Sequence, residues 1–273
     1  MALMRLLRRA TRVASPARRR IRFAPVTFSE EDGVRYLHFG TEWVQGAMRL
    51  SKPYALELEY ARQMMAWTLF IDAPRDVVQL GLGAAALTKF CYRHFETARV
   101  TAVELNPEVI RAARTMFRLD DDDERLQILQ GDALDFVGDS GRHGSIDALQ
   151  VDLYDASARG PVLDSQEFYE QCRQCLREPG VLVVNLFGDH PSFRFNMKTM
   201  GAAFAGRVVA LPEVHEGNRV ALAFKGPPLE VSYAELYRRA AEVERRIGLA
   251  ARPWVSALKA SLARKAPSPL LRI

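Results

Sequence analysis

The 273 residues are 48% hydrophobic and 26% charged, with 17 Gly and 14 Pro, which fits one large globular domain plus an appendage and excludes disordered, collagen-like and mucin-like chains. The net charge of +5 is uneven: eight arginines precede the first acid, Glu30, the stretch after Glu244 is basic only, and the acidic middle suits a cationic substrate better than a polyanion. Three cysteines (Cys91, Cys172, Cys175) are too few for a disulfide framework or a four-thiolate zinc site, and the apolar run Met64 to Ile71 is far below the ~20 residues of a spanning helix.

A cytoplasmic setting with no transmembrane segment and no metal is therefore expected. The arginine-rich start reads as a solvated arm over 1–20, although an organellar presequence has a similar composition.

In chain order, Ile21-Arg22-Phe23, Val26-Thr27-Phe28, a turn at Glu31-Asp32-Gly33 and Val34 to Phe39 predict a small β-hairpin region over 21–50. Tyr54 to Phe70 carries Leu56, Tyr60, Met64 and Trp67 at helical spacing, predicting an amphipathic helix. Strand and helix then alternate. The expected strands are Asp76 to Leu80, Val100 to Val103, Leu126 to Leu129, Ile146 to Val151 and Val181 to Leu186, the last after a Pro179-Gly180 turn. The helices between them are Ala84 to His94, Glu108 to Phe117, Ala133 to Val137 and Ser165 to Leu176, and Val208 to Leu211 with Arg219 to Phe224 makes a closing antiparallel pair. Such alternation predicts an α/β fold with a doubly wound, Rossmann-like sheet over 51–228. Residues 229–273 read as a basic helical tail. The parts before Arg22 and after Glu244 are expected to be dispensable for ligand binding, with Tyr237, Val243, Ile247 and Trp254 as the residues that could pack.

Ligands of an open α/β sheet bind beyond the carboxyl ends of its strands. Gly81 and Gly83 close the first of these, and Glu104 ends the second, 21 residues after Gly83, the place of a carboxylate that accepts the ribose hydroxyls. Ala86 stands where the dinucleotide fingerprint has its third glycine. Asp132 in Gly131-Asp132-Ala133 could accept from an adenine amino group, which favours an S-adenosyl ligand over a dinucleotide. Asp152 ends the fourth strand, and Asp155 follows it. The bland alternative makes one of this pair a cap and the other a solvated acid. Tyr154 between them could stack on a ligand or plug the core. Cys172 and Cys175 read as core thiols, and His94, His190 and His215 show no metal spacing.

Gly81-Leu82-Gly83, Val103 to Ile110 around Glu104, Gly131-Asp132-Ala133, Asp152-Leu153-Tyr154-Asp155, Gly160-Pro161 and Glu167-Phe168-Tyr169 together resemble the spermidine synthase (polyamine aminopropyltransferase) family. The resemblance spans about residues 30 to 225 and includes Trp43-Val44-Gln45 upstream. It implies that Gln45, Glu104, Asp132, Ala133 and Pro161 contact the adenosine part of decarboxylated S-adenosylmethionine beside the Gly81 and Gly83 loop. It also implies that Asp152 is the proton acceptor and that Asp155, with Tyr60 and Tyr154, holds a small-molecule amine such as putrescine. A homodimer is open to such a chain, and no specific nucleic acid is expected.

Two positions depart from the family pattern. Ala84 stands where the glycine loop carries an acid, Ala61 stands where a histidine follows the tyrosine, and the loop from Asp155 to Gly160-Pro161 is two residues longer. An S-adenosylmethionine-dependent methyltransferase and a non-catalytic binding module therefore stay as alternatives.

Overall fold

A hairpin turn sets the first elements. Asp32 and Gly33 take φ of 48° and 74°, the left-handed pair that matches strand twist, and join β1 (Thr27–Glu31) to β2 (Val34–His38). A third strand, β3 (Val44–Arg49), pairs with β2, so the expected hairpin is a three-stranded antiparallel sheet. The sheet buries Val34, Leu37, Ala47 and Met48, with Leu37 and Met48 packed on Phe117 and Ala84 of the main domain. This computed structural model describes residues 23–154, 162–188, 190–215, 217–263 and 268–273. The arm over 1–20 lies outside them.

The expected Tyr54 to Phe70 helix is shorter and is not amphipathic. Helix α1 spans Glu59–Gln63 and passes into a tighter 3-10 turn over Met64–Leu69. Met64, Met65, Ala66, Trp67 and Leu69 are all buried, because the central sheet packs on one side and a C-terminal helix on the other. A segment enclosed on two sides has no polar face to show in its sequence.

The central sheet has β4 (Asp76–Leu80), β5 (Arg99–Glu104), β6 (Leu126–Gln130), β7 (Ile146–Val151), β8 (Leu176–Phe187), β9 (Val208–Ala210) and β10 (Asn218–Lys225), in the spatial order β6-β5-β4-β7-β8-β10-β9. The β6 to β8 ladders are parallel, and β10 runs antiparallel to both β8 and β9. The connecting helices are α2 (Ala86–His94), α3 (Pro107–Met116), α4 (Ala133–Gly138), α5 (Gln166–Cys175) and α6 (Pro191–Ala203). Their placement on both faces explains the near-continuous apolar runs Val181 to Val184 and Ala221 to Ala223, all buried. The chain leaves β4 toward β5 and later returns to add β7 on the other side of β4. That reversal opens a crevice at the carboxyl ends of β4 and β7.

Two further details differ from expectation. The strand β8 begins at Leu176 and runs through Pro179-Gly180, where a register shift against β7 between Ile146 and Ala148 absorbs the irregularity in place of a turn. Helix α6 is additional; its signal is His190 before Pro191, the former accepting from the Ser192 N–H at 3.3 Å and the latter sitting in the first turn.

The C-terminal segment, expected as a tail, is a packed layer. After β11 (Glu230–Ser232), helix α7 (Tyr233–Ile247) covers the 3-10 turn, α8 (Arg252–Ala263) packs on α7, and β12 (Leu270–Arg272) pairs back on β11. Val243, Ile247, Trp254, Val255 and Leu258 join the same core as Val77 and Val100 of the sheet. The described part of the stretch after Glu244 thus belongs to the folded body, with Arg245, Arg246, Arg252 and Lys259 on the outer face of helices whose inner stripe is apolar.

Candidate active site

The crevice is shaped first by backbone. Gly81, Gly83 and Ala85 have φ of 89°, 51° and 55°, so the chain leaving β4 coils through three left-handed residues before α2 begins. This loop is tied to the next strand by Glu104. Its Oε2 accepts from the Leu82 N–H at 3.0 Å and its Oε1 from the Asn106 N–H at 2.8 Å. Asn106 then caps α3 through the Glu108 N–H at 2.9 Å, with Pro107 in the first turn. Burial raises the Glu104 pKa above the usual carboxylate value, opposed by backbone donors at Asn106, Leu82 and Leu105.

Asp132 serves as N-cap of α4, its Oδ1 accepting from the Leu134 N–H at 2.8 Å, and its carboxylate is exposed at the crevice. Asp152 behaves otherwise. Its Oδ1 accepts from Nδ2 of Asn185 at 2.9 Å and its Oδ2 from the Tyr60 hydroxyl at 3.4 Å, so each carboxylate oxygen takes a side-chain donor. Burial raises its pKa, with Asn185 and Tyr60 pulling the other way. Asn185 Oδ1 accepts from Nδ2 of Asn218 at 3.0 Å, and that same Nδ2 lies 3.3 Å from the Tyr154 hydroxyl oxygen. The Tyr154 hydroxyl is held protonated by burial first and by Asp152 second.

One cavity of about 820 Å³ joins these groups. Gln45, Tyr60, Gly81, Gly83, Glu104, Asp132, Ala133, Asp152 and Tyr154 all line it. Asp155 and Pro161, with Gly160, lie outside the described residues. Among the described lining residues the ionisable side chains are acids and tyrosines, Glu42 adding to those above. Its mouth is apolar, with Trp43 55% and Val162 52% exposed. A second void of about 20 Å³, about the space of one water, adjoins Asp152 and Tyr60 and is lined by both Ala61 and Ala84. The two departures from the family pattern therefore share one small space.

Sequence reasoning missed Asn185 and Asn218. The available signal was Asn185 interrupting the apolar run of β8 near its carboxyl end, and Asn218 opening β10 at the same edge. Cys172 and Cys175 are fully buried, with thiol pKa values pushed up by burial, in keeping with core thiols. His94 packs on Phe90, with ring centroids 4.2 Å apart. Among the described residues no group of three or more His, Cys, Asp or Glu is placed to hold a metal, and no helix is long and apolar enough to cross a membrane.

A seven-stranded sheet of this order, with acids at three successive strand ends around a crevice, defines the S-adenosylmethionine-type Rossmann-like class. Solved structures agree at the level of fold. A probable spermidine synthase from Corynebacterium glutamicum matches with a TM-score of 0.67 at 22% identity, over 80% of this chain and 83% of that one. Human Methyltransferase-like protein 13 in complex with SAH matches at 0.61 and 22%, over 70% and 93%. A spermidine synthase in complex with the transition state analogue AdoDATO matches at 0.56 and 22%, over 74% of each chain.

The sequence narrows the class. Residues 57–210 match the family model described as the spermine/spermidine synthase domain. The chain is 34% identical to the polyamine aminopropyltransferase of Chromobacterium violaceum, over 89% of this chain and 95% of that protein. It is 33% identical to that of Neisseria meningitidis serogroup A, over 88% and 90%. The chain belongs to the spermine/spermidine synthase family.

Proposed function

We propose that this chain is an aminopropyltransferase that moves the aminopropyl group of decarboxylated S-adenosylmethionine to a small amine such as putrescine, with Asp152 as proton acceptor. The observation that carries the reading is the acid-lined cavity, in which Asp152 is held by side-chain donors at the strand end nearest the topological reversal. Both substrates are cations, one a sulfonium and one an ammonium, and acids attract both. Glu104 is set to accept the ribose hydroxyls with the lone pairs that the Leu82 and Asn106 N–H groups leave, and Asp132 and Ala133 sit beside the adenine position. Gln45 on β3 closes the other wall.

In the reaction the neutral amine nitrogen attacks the methylene carbon beside the sulfonium. A C–N bond forms, the C–S bond breaks with its electron pair going to sulfur, and methylthioadenosine leaves. A free alkylamine of pKa near ~10 is protonated at neutral pH, so one proton must depart to expose the lone pair. Asp152 receives it, and Tyr60 keeps the carboxylate oriented. Asp155 and Pro161 complete the amine and adenine contacts in this reading, the amine is the partner, and the enzyme works in the cytoplasm as a monomer or a homodimer.

Ala84 favours a second reading. It is 2% exposed and Ala61 3% exposed, and no described acid stands in the glycine loop to pair with the amine of the transferred chain. An S-adenosylmethionine-dependent methyltransferase would tolerate that, and Methyltransferase-like protein 13 was solved with SAH on this fold. Calorimetry with decarboxylated and with intact S-adenosylmethionine separates the two, followed by turnover on a diamine panel. Preference for the decarboxylated form with release of methylthioadenosine is expected. Preference for the intact form with methyl transfer would replace the first reading by the second.

A further inference from the structure

Asp152 owes its position to a buried amide in the wall of the same cavity, at the end of a central strand. Asn185, in β8, is 2% exposed, and its amide is engaged at both ends: Nδ2 donates to Asp152 Oδ1 at 2.9 Å while Oδ1 accepts from Asn218 at 3.0 Å. These two bonds fix which way the amide points. Were it turned over, its oxygen would face a carboxylate oxygen and its NH2 would face the NH2 of Asn218, leaving two mismatched pairs in a buried place. Asn218, 9% exposed, is steadied in turn by the hydroxyl of Tyr154. The relay therefore runs from Tyr154 through two strands of the sheet to one oxygen of Asp152.

We propose that Asn185 is a positioning residue for Asp152, and that Asn218 acts through it by locking the amide in the donating orientation. This rests on the proton-acceptor reading of Asp152. A donor held at Oδ1 aims the remaining lone pairs of the carboxylate at the cavity and favours its ionised form. The other groups facing Asp152 are Tyr60 on α1 and Tyr154 beyond the end of β7, with Glu104 and Asp132 on the same cavity wall. Burial opposes ionisation of Asp152, and the Asn185 and Tyr60 donors oppose burial.

The test uses Asn185→Leu, Asn218→Leu and the double variant in the full chain. Asn185→Leu is expected to lower kcat by about ten- to a hundredfold, the effect of one hydrogen bond to a charged group. It should move the acidic limb of the pH–rate profile upward, so that part of the loss returns at higher pH, and leave methylthioadenosine affinity within about twofold. Asn218→Leu should shift the limb in the same direction by less, and the double variant should be no worse than Asn185→Leu alone, since both act on one route. A 13C-carboxyl titration of aspartate-labelled protein, with the Asp152 signal identified by its loss in Asp152→Asn, reads the same upward shift without turnover. If Asn185→Leu does not fold, Asn218→Leu carries the same titration. An unmoved Asp152 titration, or losses that multiply in the double variant, would overturn the proposal. Wild-type turnover in Asp152→Asn would instead remove the proton-acceptor reading, and the titration would still decide the positioning role.

Discussion

Gly81 backs directly onto the carbonyl of Asp152: a Cβ built on Gly81 would overlap that carbonyl oxygen and sit 3.4 Å from the Leu153 side chain. Its φ of 89° is also one that L side chains rarely adopt. The turn after β4 and the residue that follows β7 are thus packed backbone to backbone, which joins the nucleoside half of the cavity to the acid half. Gly81→Ala is expected to lose ligand binding and transfer together and to cost more than about 1 kcal/mol of stability. Chemical denaturation with a methylthioadenosine titration checks it, and separate loss of only one activity would contradict the coupling.

Asp152→Asn separates binding from chemistry. The amide can still accept from Asn185 and face Tyr60, but it cannot take a proton or attract a cation. Turnover should fall at least ~10²-fold while methylthioadenosine affinity is retained. Stability should move the other way. Burial raises the Asp152 pKa in the fold, so its contribution is fully present below the unfolded value and is lost as pH rises through the raised one. At neutral pH the charge weighs against folding, and the ligand-free variant should melt above the parent at pH 7, with the gap closing toward pH ~4. Thermal melts at the two pH values measure this.

Glu104 has two duties, since its oxygens hold the Leu82 and Asn106 N–H groups as well as facing the ribose position. Glu104→Ala should weaken methylthioadenosine binding by about 2 kcal/mol or more, with a charged hydrogen bond worth ~1.5–3 kcal/mol. Hydrogen exchange at Leu82 should quicken in the same variant, because the loop loses its tie. Unchanged calorimetric affinity would remove the nucleoside assignment.

What could be read from the residues follows from how local each signal is. Glycines at 81 and 83, Glu104, Asp132 and Asp152 all announce themselves, since each stands at or just after the end of an apolar run, where an open α/β sheet binds its ligands. Asn185 stayed hidden because a neutral amide inside a strand leaves no charge pattern, and its meaning depends on Asn218, which reaches it only across the β8 and β10 ladder. The Met64 to Leu69 turn misled for a related reason, being enclosed by two layers. The C-terminal helices misled by charge. Tyr233, Leu236, Ala240, Val243 and Ile247 recur at three- and four-residue steps, an ordinary buried stripe, beneath arginines that dominate the composition.

That stripe makes the C-terminal layer testable. Trp254 is 6% exposed and packs in the core that includes the 3-10 turn. Trp254→Ala should cost roughly 3–5 kcal/mol, as for large aromatic truncations in cores. Removing everything after Glu244 should abolish cooperative unfolding, since Ile247, Val255 and Leu258 go as well. A shortened chain that melts like the parent would show that the layer is dispensable after all.

Lys89 presents a buried charge with few partners. It is 1% exposed in α2, with Nζ donating to the Phe117 carbonyl at 2.6 Å and lying 3.3 Å from the Met48 sulfur. The ammonium thus pins β3 and the end of α3 together, a bridge between the small sheet and the main one. Burial lowers its pKa to about 8, partly offset by Asp120. A lysine whose folded pKa lies below its unfolded value of about 10.5 adds stability that is fully present above 10.5 and lost as pH falls through about 8. Wild type therefore carries the cost of a buried ammonium at neutral pH and sheds it in alkali. Lys89→Met keeps the length and apolar character of the stem and removes the charge. It should raise the melting temperature at pH 7, and its advantage over wild type should shrink steadily between pH 8 and 10.5. Paired melts across that range test it, comparison with the parent cancelling the other titrating groups. A variant that melts below wild type at pH 7 would show that the bridge to the Phe117 carbonyl outweighs the cost of the buried charge, and an advantage that does not change with pH would show that the charge does not set it.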